Sequence, residues 1–285
     1  MIELPKEVEI VEVSPRDGLQ SLTEFVSTDR KLSLIEALKK AGFRRIEVTS
    51  FVSQKHVPQM ADAEALMNAL KNDSDFEKMG LALNDLGYKR AIQAGVDWIC
   101  YVISATETMS RKNANTTLEE SLEAIKRCIR DAHDLGIRVR ASIAVCWVCP
   151  YEGKVPKEKV LEITSKVEEA DEIAYNDTVG RAVPNEVYEL CYLAKKFFPK
   201  KRFAGHFHDT NSTALANIYA AMSAGWTVFD SAIGGLGGCP FSPGAKGNVA
   251  TEKVVWMLEE MGIKTGLDYE KLKQASALAS EIVTC

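Results

Sequence analysis

The sequence predicts an α/β protein: a closed (β/α)8 TIM barrel with an extra C-terminal helix. Three observations predict it. Short apolar runs alternate with longer helical ones almost from end to end. Eight of the short runs can be marked. Several helical runs stop at a glycine just before the next short run. The 285 residues suit one such barrel, which takes about 250 residues, plus a short extension. Residues 1–285 are therefore read as a single TIM-barrel domain. Two smaller domains are the alternative that length alone leaves open.

The strand candidates are Val8–Val13, Arg45–Phe51, Gly80–Leu83, Trp98–Ser104, Val139–Val145, Glu172–Tyr175, Arg202–His208 and Phe229–Ile233. Each is short, apolar and bounded by polar residues or glycine, as parallel strands buried on both faces are. Between them lie helical runs. Ser27-Thr28-Asp29 precedes Arg30–Ala41, where Leu32, Ile35 and Leu38 recur at helical spacing and Gly42 marks the stop. A second run opens at Thr116, with an acid three or four positions on in the manner of a capping box, and ends at Gly136. Pro184–Phe198, Ser212–Gly225 and Thr251–Gly262 continue the alternation, and Asp268–Val283 reads as a helix outside the barrel. Ala41-Gly42, Ala94-Gly95, Leu135-Gly136 and Ala224-Gly225 place a glycine where a helix end takes the left-handed conformation. Periodicity alone does not show closure, so an open doubly wound sheet is the rival architecture.

Composition bounds the function. Lys+Arg total 35 against 40 Asp+Glu, with no long basic run, which argues against nucleic acid as a partner and leaves an anionic small molecule open. The N-terminal residues carry no apolar run, and no stretch is long enough to span a bilayer, so neither a signal peptide nor a membrane partner is expected. Seven cysteines scattered over a long chain suit a reduced, cytoplasmic setting.

In a barrel the active site sits at the C-terminal ends of the strands. His206 and His208 are two of only four histidines. On a strand, residues i and i+2 face the same side, so both imidazoles can share one ion. The plainer reading, two satisfied polar residues, would be preferred for a single histidine. Asp17 after the first strand offers an anionic oxygen and Asn248 after the eighth an amide oxygen; closure makes these strands neighbours. Oxygen and nitrogen without thiolate suit Mg²⁺ or Mn²⁺, with Zn²⁺ less expected. Singly, Asp17 is as well read as a turn residue before Gly18, and Asn248 as a helix cap.

Arg16 can hold a carboxylate or stabilise an enolate oxygen, or form a surface ion pair. Gln20 lies in the same turn and joins Arg16 as a substrate-binding candidate. Glu47 is a charge inside an apolar strand and needs a partner; it orients Arg16 or a substrate hydroxyl, or pairs within the barrel. Asp177 has the same two readings. Gly234–Pro240 has four glycines before Cys239 and reads as a lid, or as a phosphate cradle. The Cys239 thiol is a candidate for proton transfer. Cys146-Trp147-Val148-Cys149 has neither a helix start nor a second ligand pair, so its spacing is read as non-functional.

Several segments carry a resemblance. They are Val11-Glu12-Val13-Ser14-Pro15-Arg16-Asp17-Gly18-Leu19-Gln20, Ile46–Ser53, Cys149-Pro150-Tyr151-Glu152-Gly153-Lys154, His206-Phe207-His208-Asp209-Thr210, Gly234-Gly235-Leu236-Gly237-Gly238-Cys239-Pro240-Phe241 and Gly244–Glu252. Together they resemble the 3-hydroxy-3-methylglutaryl-CoA lyase family, over nearly the whole chain. The resemblance implies a metal-dependent barrel, usually dimeric, that performs a retro-Claisen cleavage of an acyl-CoA. It implies Mg²⁺ or Mn²⁺ on Asp17, His206, His208 and Asn248. Arg16 would stabilise the enolate, Cys239 transfer protons from the loop, and Glu47 and Asp177 support substrate and catalysis. The chain departs from the family pattern at the mouth. Ser142 stands where the lyases carry Tyr, Ala144 and Ala174 where they carry Ser, Trp147 where Leu is usual, and Tyr175-Asn176-Asp177-Thr178 where they read Leu-Gly-Asp-Thr. These positions lie outside the metal set and bear on which acyl-CoA is cleaved, a longer-branched one or citramalyl-CoA included. The rivals are a condensing synthase of the isopropylmalate or homocitrate type, which lacks the Cys239 loop, and a non-catalytic metal-binding or carrier protein.

Overall fold

The structure, a computed structural model, describes residues 4–238 and 247–284. Its strands are β1 (Glu9–Glu12), β2 (Arg45–Ser50), β3 (Glu77–Ala82), β4 (Trp98–Ser104), β5 (Arg138–Ala144), β6 (Val148–Cys149), β7 (Gly153–Lys154), β8 (Glu172–Asp177), β9 (Arg202–Phe207) and β10 (Val228–Ser231). All but β6 and β7 join in a parallel sheet of order β1-β10-β9-β8-β5-β4-β3-β2, and the sheet closes. Closure is explicit in the register, since Glu12 of β1 pairs with Ile46 of β2 while Glu9 to Glu12 pair with Val228 to Ser231 of β10. That removes the open doubly wound alternative. β6 and β7 form a small antiparallel hairpin over Cys149–Gly153.

The helices are α1 (Thr28–Ala41), α2 (Ala63–Ala69), α3 (Asp85–Ala94), α4 (Glu107–Ala114), α5 (Leu118–His133), α6 (Lys157–Lys166), α7 (Pro184–Phe197), α8 (Ala214–Ser223), α9 (Thr251–Glu260) and α10 (Tyr269–Thr284). α10 is the extra helix, and it lies against α1. The end of α1 shows why glycine is needed at that junction. Gly42 has φ 102°, and a Cβ there would come 2.9 Å from the Gly266 carbonyl.

Most element boundaries shift by a few residues from the sequence reading, and two of the shifts have a clear local reason. The capping residue of α5 is Thr117, one position later than Thr116: its hydroxyl accepts from the Glu120 amide at 3.1 Å, and the Glu120 carboxylate accepts from the Thr117 amide at 2.8 Å. β3 begins at Glu77, not Gly80. Polar side chains disguised its start, but both are partnered: Lys78 donates to the Asp73 carbonyl, and Glu77 accepts from the Trp98 indole at 2.7 Å.

Strand alternation sorts the core into two layers. Val11, Val13, Met79, Leu81, Trp98, Cys100, Ala174, Ala204, Val228 and Ala232 form the cluster inside the barrel. Their neighbours in sequence, such as Ile10, Ile99 and Ile173, pack outward under the helices. The lower barrel interior also carries charge. Glu172 accepts from Arg140 at 2.5 Å, Arg45 at 3.0 Å and Arg202 at 2.8 Å, and Arg140 reaches on to Asp230 at 2.7 and 2.9 Å. Burial pushes the Glu172 carboxyl up, but Arg140, Arg45 and Arg202 outweigh it and bring it down to about 2.

The described cysteines Cys100, Cys128, Cys146, Cys149 and Cys191 are free and buried. Cys146 donates to the Ile143 carbonyl and Cys149 accepts from the Thr106 hydroxyl at 3.2 Å, so the pair is packed into the core rather than joined. Among the described residues no helix is long and apolar enough to cross a membrane.

Candidate metal centre at the barrel mouth

The turn after β1 is a single π-helical turn, Ser14–Gly18, with Pro15 near its start. The amides of Arg16, Asp17 and Gly18 all converge on the Val13 carbonyl, at 3.2, 2.7 and 3.3 Å. Such turns recur at functional sites because they re-aim side chains. This one places Arg16 and Asp17, both buried, beside the last residues of β9 and β2.

On β9 the inward positions are Ala204 and His206, and His208 continues the alternation one residue past the strand. Asp17, His206 and His208 bring one ligand atom each within 4.8 Å of one another, and all three are buried. The His208 Nε2 lies 3.8 Å from Asp17 Oδ2. Asn248 bridges to His208 through the backbone, and its side-chain amide donates to Asp17 Oδ2 at 2.6 Å and to the Leu236 carbonyl at 3.1 Å. Asn248 is thus at the site, and it is not the cap of α9, whose cap position is Ala250. Gln20 donates to Asp17 Oδ1 at 2.8 Å.

Electrostatics favour the ligand-competent forms of Asp17 and His208. Burial pushes the Asp17 carboxyl up, yet Arg16, His206 and His208 beside it hold it down at about 2, so it is anionic near neutrality. Burial and the neighbouring His206 lower His208 to about 4, which keeps that ring neutral. Its Nδ1 is buried without a hydrogen-bond partner. His206 is also opposed by burial, but Asp230 Oδ2, 3.2 Å from its Nδ1, holds its pKa above the ordinary value.

Arg16 is not a surface ion pair. It bonds Glu47 through Nε at 2.5 Å and Asp17 through Nη1, and these carboxylates outweigh the effect of burial and raise its pKa. Glu47 lies at a register shift in β2, between Glu47 and Thr49, the kind of bulge that re-aims a side chain. Burial raises the Glu47 carboxyl, Arg16 opposes that, and its Oε1 is buried without a partner. Asp177 is placed differently. Both of its oxygens accept backbone amides of its own loop, from Arg181 at 3.0 Å and Ala182 at 2.9 Å, and burial raises it to about 6. Cys239 lies outside the described residues.

Two residues that buttress the site escaped the sequence reading. Asp230 orients His206 and joins it to Arg140. Glu12, outward-facing on β1, accepts from Ser14 N and Ile233 N at 3.0 Å each, from the Ser14 hydroxyl, and from Thr251 Oγ1 at 2.8 Å. It therefore ties together the turn carrying Arg16 and Asp17, the base of the glycine-rich segment and the start of α9. Both are charges within predicted strands, as Glu47 is, but their roles depend on which face of the strand they take.

Fold and site define a (β/α)8-barrel protein with a buried Asp/His/His centre, suited to a divalent cation, at the C-terminal mouth. A family model described as HMGL-like matches residues 7–279. The hydroxymethylglutaryl-CoA lyase YngG of Bacillus subtilis is 40% identical over 279 residues, covering 97% of this chain and 93% of that protein. A crystal structure of the Bacillus subtilis HMG-CoA lyase superimposes with a TM-score of 0.95 at 39% identity, covering 99% of this chain and 95% of the other. An HMG-CoA lyase from Acinetobacter baumannii, solved with coenzyme A and 3-methylmalate, gives a TM-score of 0.92 at 34% identity, covering 100% and 93%. The chain belongs to the HMGL-like family.

Proposed function

We propose that this protein is a carbon–carbon lyase that cleaves 3-hydroxy-3-methylglutaryl-CoA, or a close relative of it, into a 3-oxo acid such as acetoacetate and acetyl-CoA. The observation that carries the proposal is the convergence of Asp17, His206 and His208 beside the Arg16–Glu47 pair, in a chain of this family. The donor set fits Mg²⁺ or Mn²⁺: one anionic oxygen, two ring nitrogens and no thiolate. Asp17, His206 and His208 would hold the ion, with Asn248 as a fourth ligand once its amide turns the oxygen inward. A bound divalent cation supplies Lewis-acid polarisation of the substrate's tertiary hydroxyl.

The protein's own groups do the rest. Arg16, held cationic by two carboxylates, meets the negative charge that develops on the thioester oxygen as the C2–C3 bond breaks. Gln20, on Asp17, lies in the same turn and is assigned to substrate binding. Glu47 fixes the guanidinium and keeps one oxygen free for a substrate hydroxyl. Asp177 shapes the loop after β8 through its backbone bonds and is assigned to supporting catalysis from there. Cys239 is assigned to the proton transfer that quenches the acyl-CoA enolate. The coenzyme A bound to the Acinetobacter baumannii relative supports an acyl-CoA as this chain's substrate. We assign all of residues 1–285 to one catalytic domain, and a cytoplasmic homodimer to the working enzyme.

The test is a mass-spectrometric assay of acyl-CoA cleavage with Mg²⁺ and with Mn²⁺. Release of acetyl-CoA and a 3-oxo acid supports the proposal; condensation of acetyl-CoA with a 2-oxo acid would instead favour a synthase.

A further inference from the structure

The polar layer above the barrel's apolar interior contains a pair that the chemistry described so far does not use. On β8 the inward positions are Glu172, Ala174 and Asn176, since Ala174 belongs to the inner cluster and Ile173 and Tyr175 pack outward. Asn176 lies beside His206 in the β8–β9 register. Neighbouring strands are about 4.8 Å apart, so the Asn176 side chain stands next to a proposed metal ligand. Ser142 is inward on β5, opposite Ala174. The Asn176 amide nitrogen donates to the Ser142 hydroxyl at 2.8 Å. The other amide atom, Oδ1, is buried and has no hydrogen-bond partner. Because the Ser142 hydroxyl can donate or accept, turning the amide over only exchanges which atom is left unpaired.

A buried amide atom without a partner is costly, and an inward strand position would hold an apolar residue at less cost. The surroundings are small. Ala174 pairs with Ser142 and Ala204 with Ala174, both facing the interior, and Ala144 follows Ser142 on the same side of β5. A C3 substituent that settled among these small side chains would meet one unpaired polar atom, and that atom would give it a preference.

We infer that Asn176, oriented by Ser142, is a specificity-determining residue that reads a hydroxyl on the substituent at C3 of the acyl-CoA. This rests on the lyase reading proposed above and narrows its substrate class. A hydroxyl satisfies the free amide atom in either orientation, as donor to Oδ1 or acceptor from Nδ2. The reaction is otherwise unchanged. The C3 hydroxyl loses its proton and becomes the ketone, the C2–C3 bond electrons pass to the thioester enolate, and a proton returns to that carbon to give acetyl-CoA. The second product is a 3-oxo acid that keeps the hydroxylated substituent.

The experiment compares kcat/KM of the full chain, loaded with Mn²⁺, for three CoA thioesters of 3-hydroxyglutarate bearing methyl, ethyl or hydroxymethyl at C3. Ethyl and hydroxymethyl are nearly equal in size, so their ratio isolates the hydrogen bond. Hydroxymethyl is expected to exceed ethyl by about 10- to 100-fold. In Asn176→Ala the ratio falls to near unity, and in Ser142→Ala, which frees the amide to rotate, it falls part of the way. The wild-type ratio reads the inference even if a variant fails to fold. Ethyl cleaved as well as hydroxymethyl, or a ratio that survives in folded Asn176→Ala, overturns it while the lyase reading stands. Cleavage of none of the three overturns both.

Discussion

The Nδ1 of His206 meets Asp230 Oδ2 at 3.2 Å, which leaves Nε2 as the ring nitrogen free to turn toward Asp17 and His208. Asp230 is itself fixed by two contacts from Arg140, at 2.7 and 2.9 Å, and Arg140 by Glu172. The imidazole's orientation is thus set from below, through the charged layer of the barrel interior. Asp230→Ala should weaken Mn²⁺ binding by roughly 10- to 100-fold, the usual effect of removing a carboxylate behind a metal-ligating histidine. Isothermal titration with Mn²⁺ measures this. Unchanged affinity would mean that His206 is oriented by something else.

Glu12 gives a pH prediction. Burial lifts its carboxyl from the ordinary 4.5 to about 7, against the pull of Ser14, Thr251 and Ile233. A carboxyl raised in the folded state binds more protons there than in the unfolded chain, so its contribution to stability falls as pH rises from about 4.5 to about 7 and is level above that. The loss is on the order of 3 kcal/mol. Glu12→Gln keeps an oxygen for Ser14 N and Ile233 N and does not titrate. Urea midpoints at pH 5 and pH 8 should therefore show the variant gaining on the wild type at the higher pH. Equal gaps at both values would place the Glu12 pKa outside that window.

Glu172 behaves in the opposite sense. Its carboxyl is depressed to about 2 by Arg140, Arg45 and Arg202 despite full burial. The stability it contributes is complete above about 4.5 and lost as pH falls toward 2. Glu172→Ala leaves Arg140 and Arg45 buried without this partner and should cost about 3–5 kcal/mol at pH 7. Chemical denaturation reads the change, and a cost under about 1 kcal/mol would show that the arginines repair themselves through Glu9 and Asp230.

Cys239 follows from the sequence and the proposed proton transfer. Cys239→Ala should lower kcat by roughly 10²–10⁴. Acyl-CoA binding should survive, since a thiol contributes little contact area. Turnover near the wild-type value would leave the cysteine without a part in the reaction.

Much of this is legible in the sequence, and the reasons are physical. The His206–His208 pair announces itself because strand periodicity puts i and i+2 on one side. Asp17 and Asn248 were found because Asp17 follows β1 and Asn248 follows β10, strands that pair in the closed barrel, and β10 lies beside β9. Asp230 and Glu12 were not found, because their roles depend on which face of the strand they take and on partners such as Thr251, 239 positions away from Glu12. The π-helical turn at Ser14–Gly18 has no periodic signature short enough to read. Ser142 and Asn176 were visible as departures from the family pattern, but their hydrogen bond across 34 residues required the register of β5 and β8.

We propose that Asp17, His206 and His208 hold a divalent ion on which the lyase activity depends. His208→Ala tests it most directly. Metal content by mass spectrometry and acyl-CoA cleavage are measured on the same preparation, with circular dichroism to verify the fold. Loss of bound Mn²⁺ together with loss of cleavage, in a folded protein, is the predicted result. A folded His208→Ala protein that keeps its metal and cleaves at the wild-type rate would show that these three residues do not hold the catalytic ion.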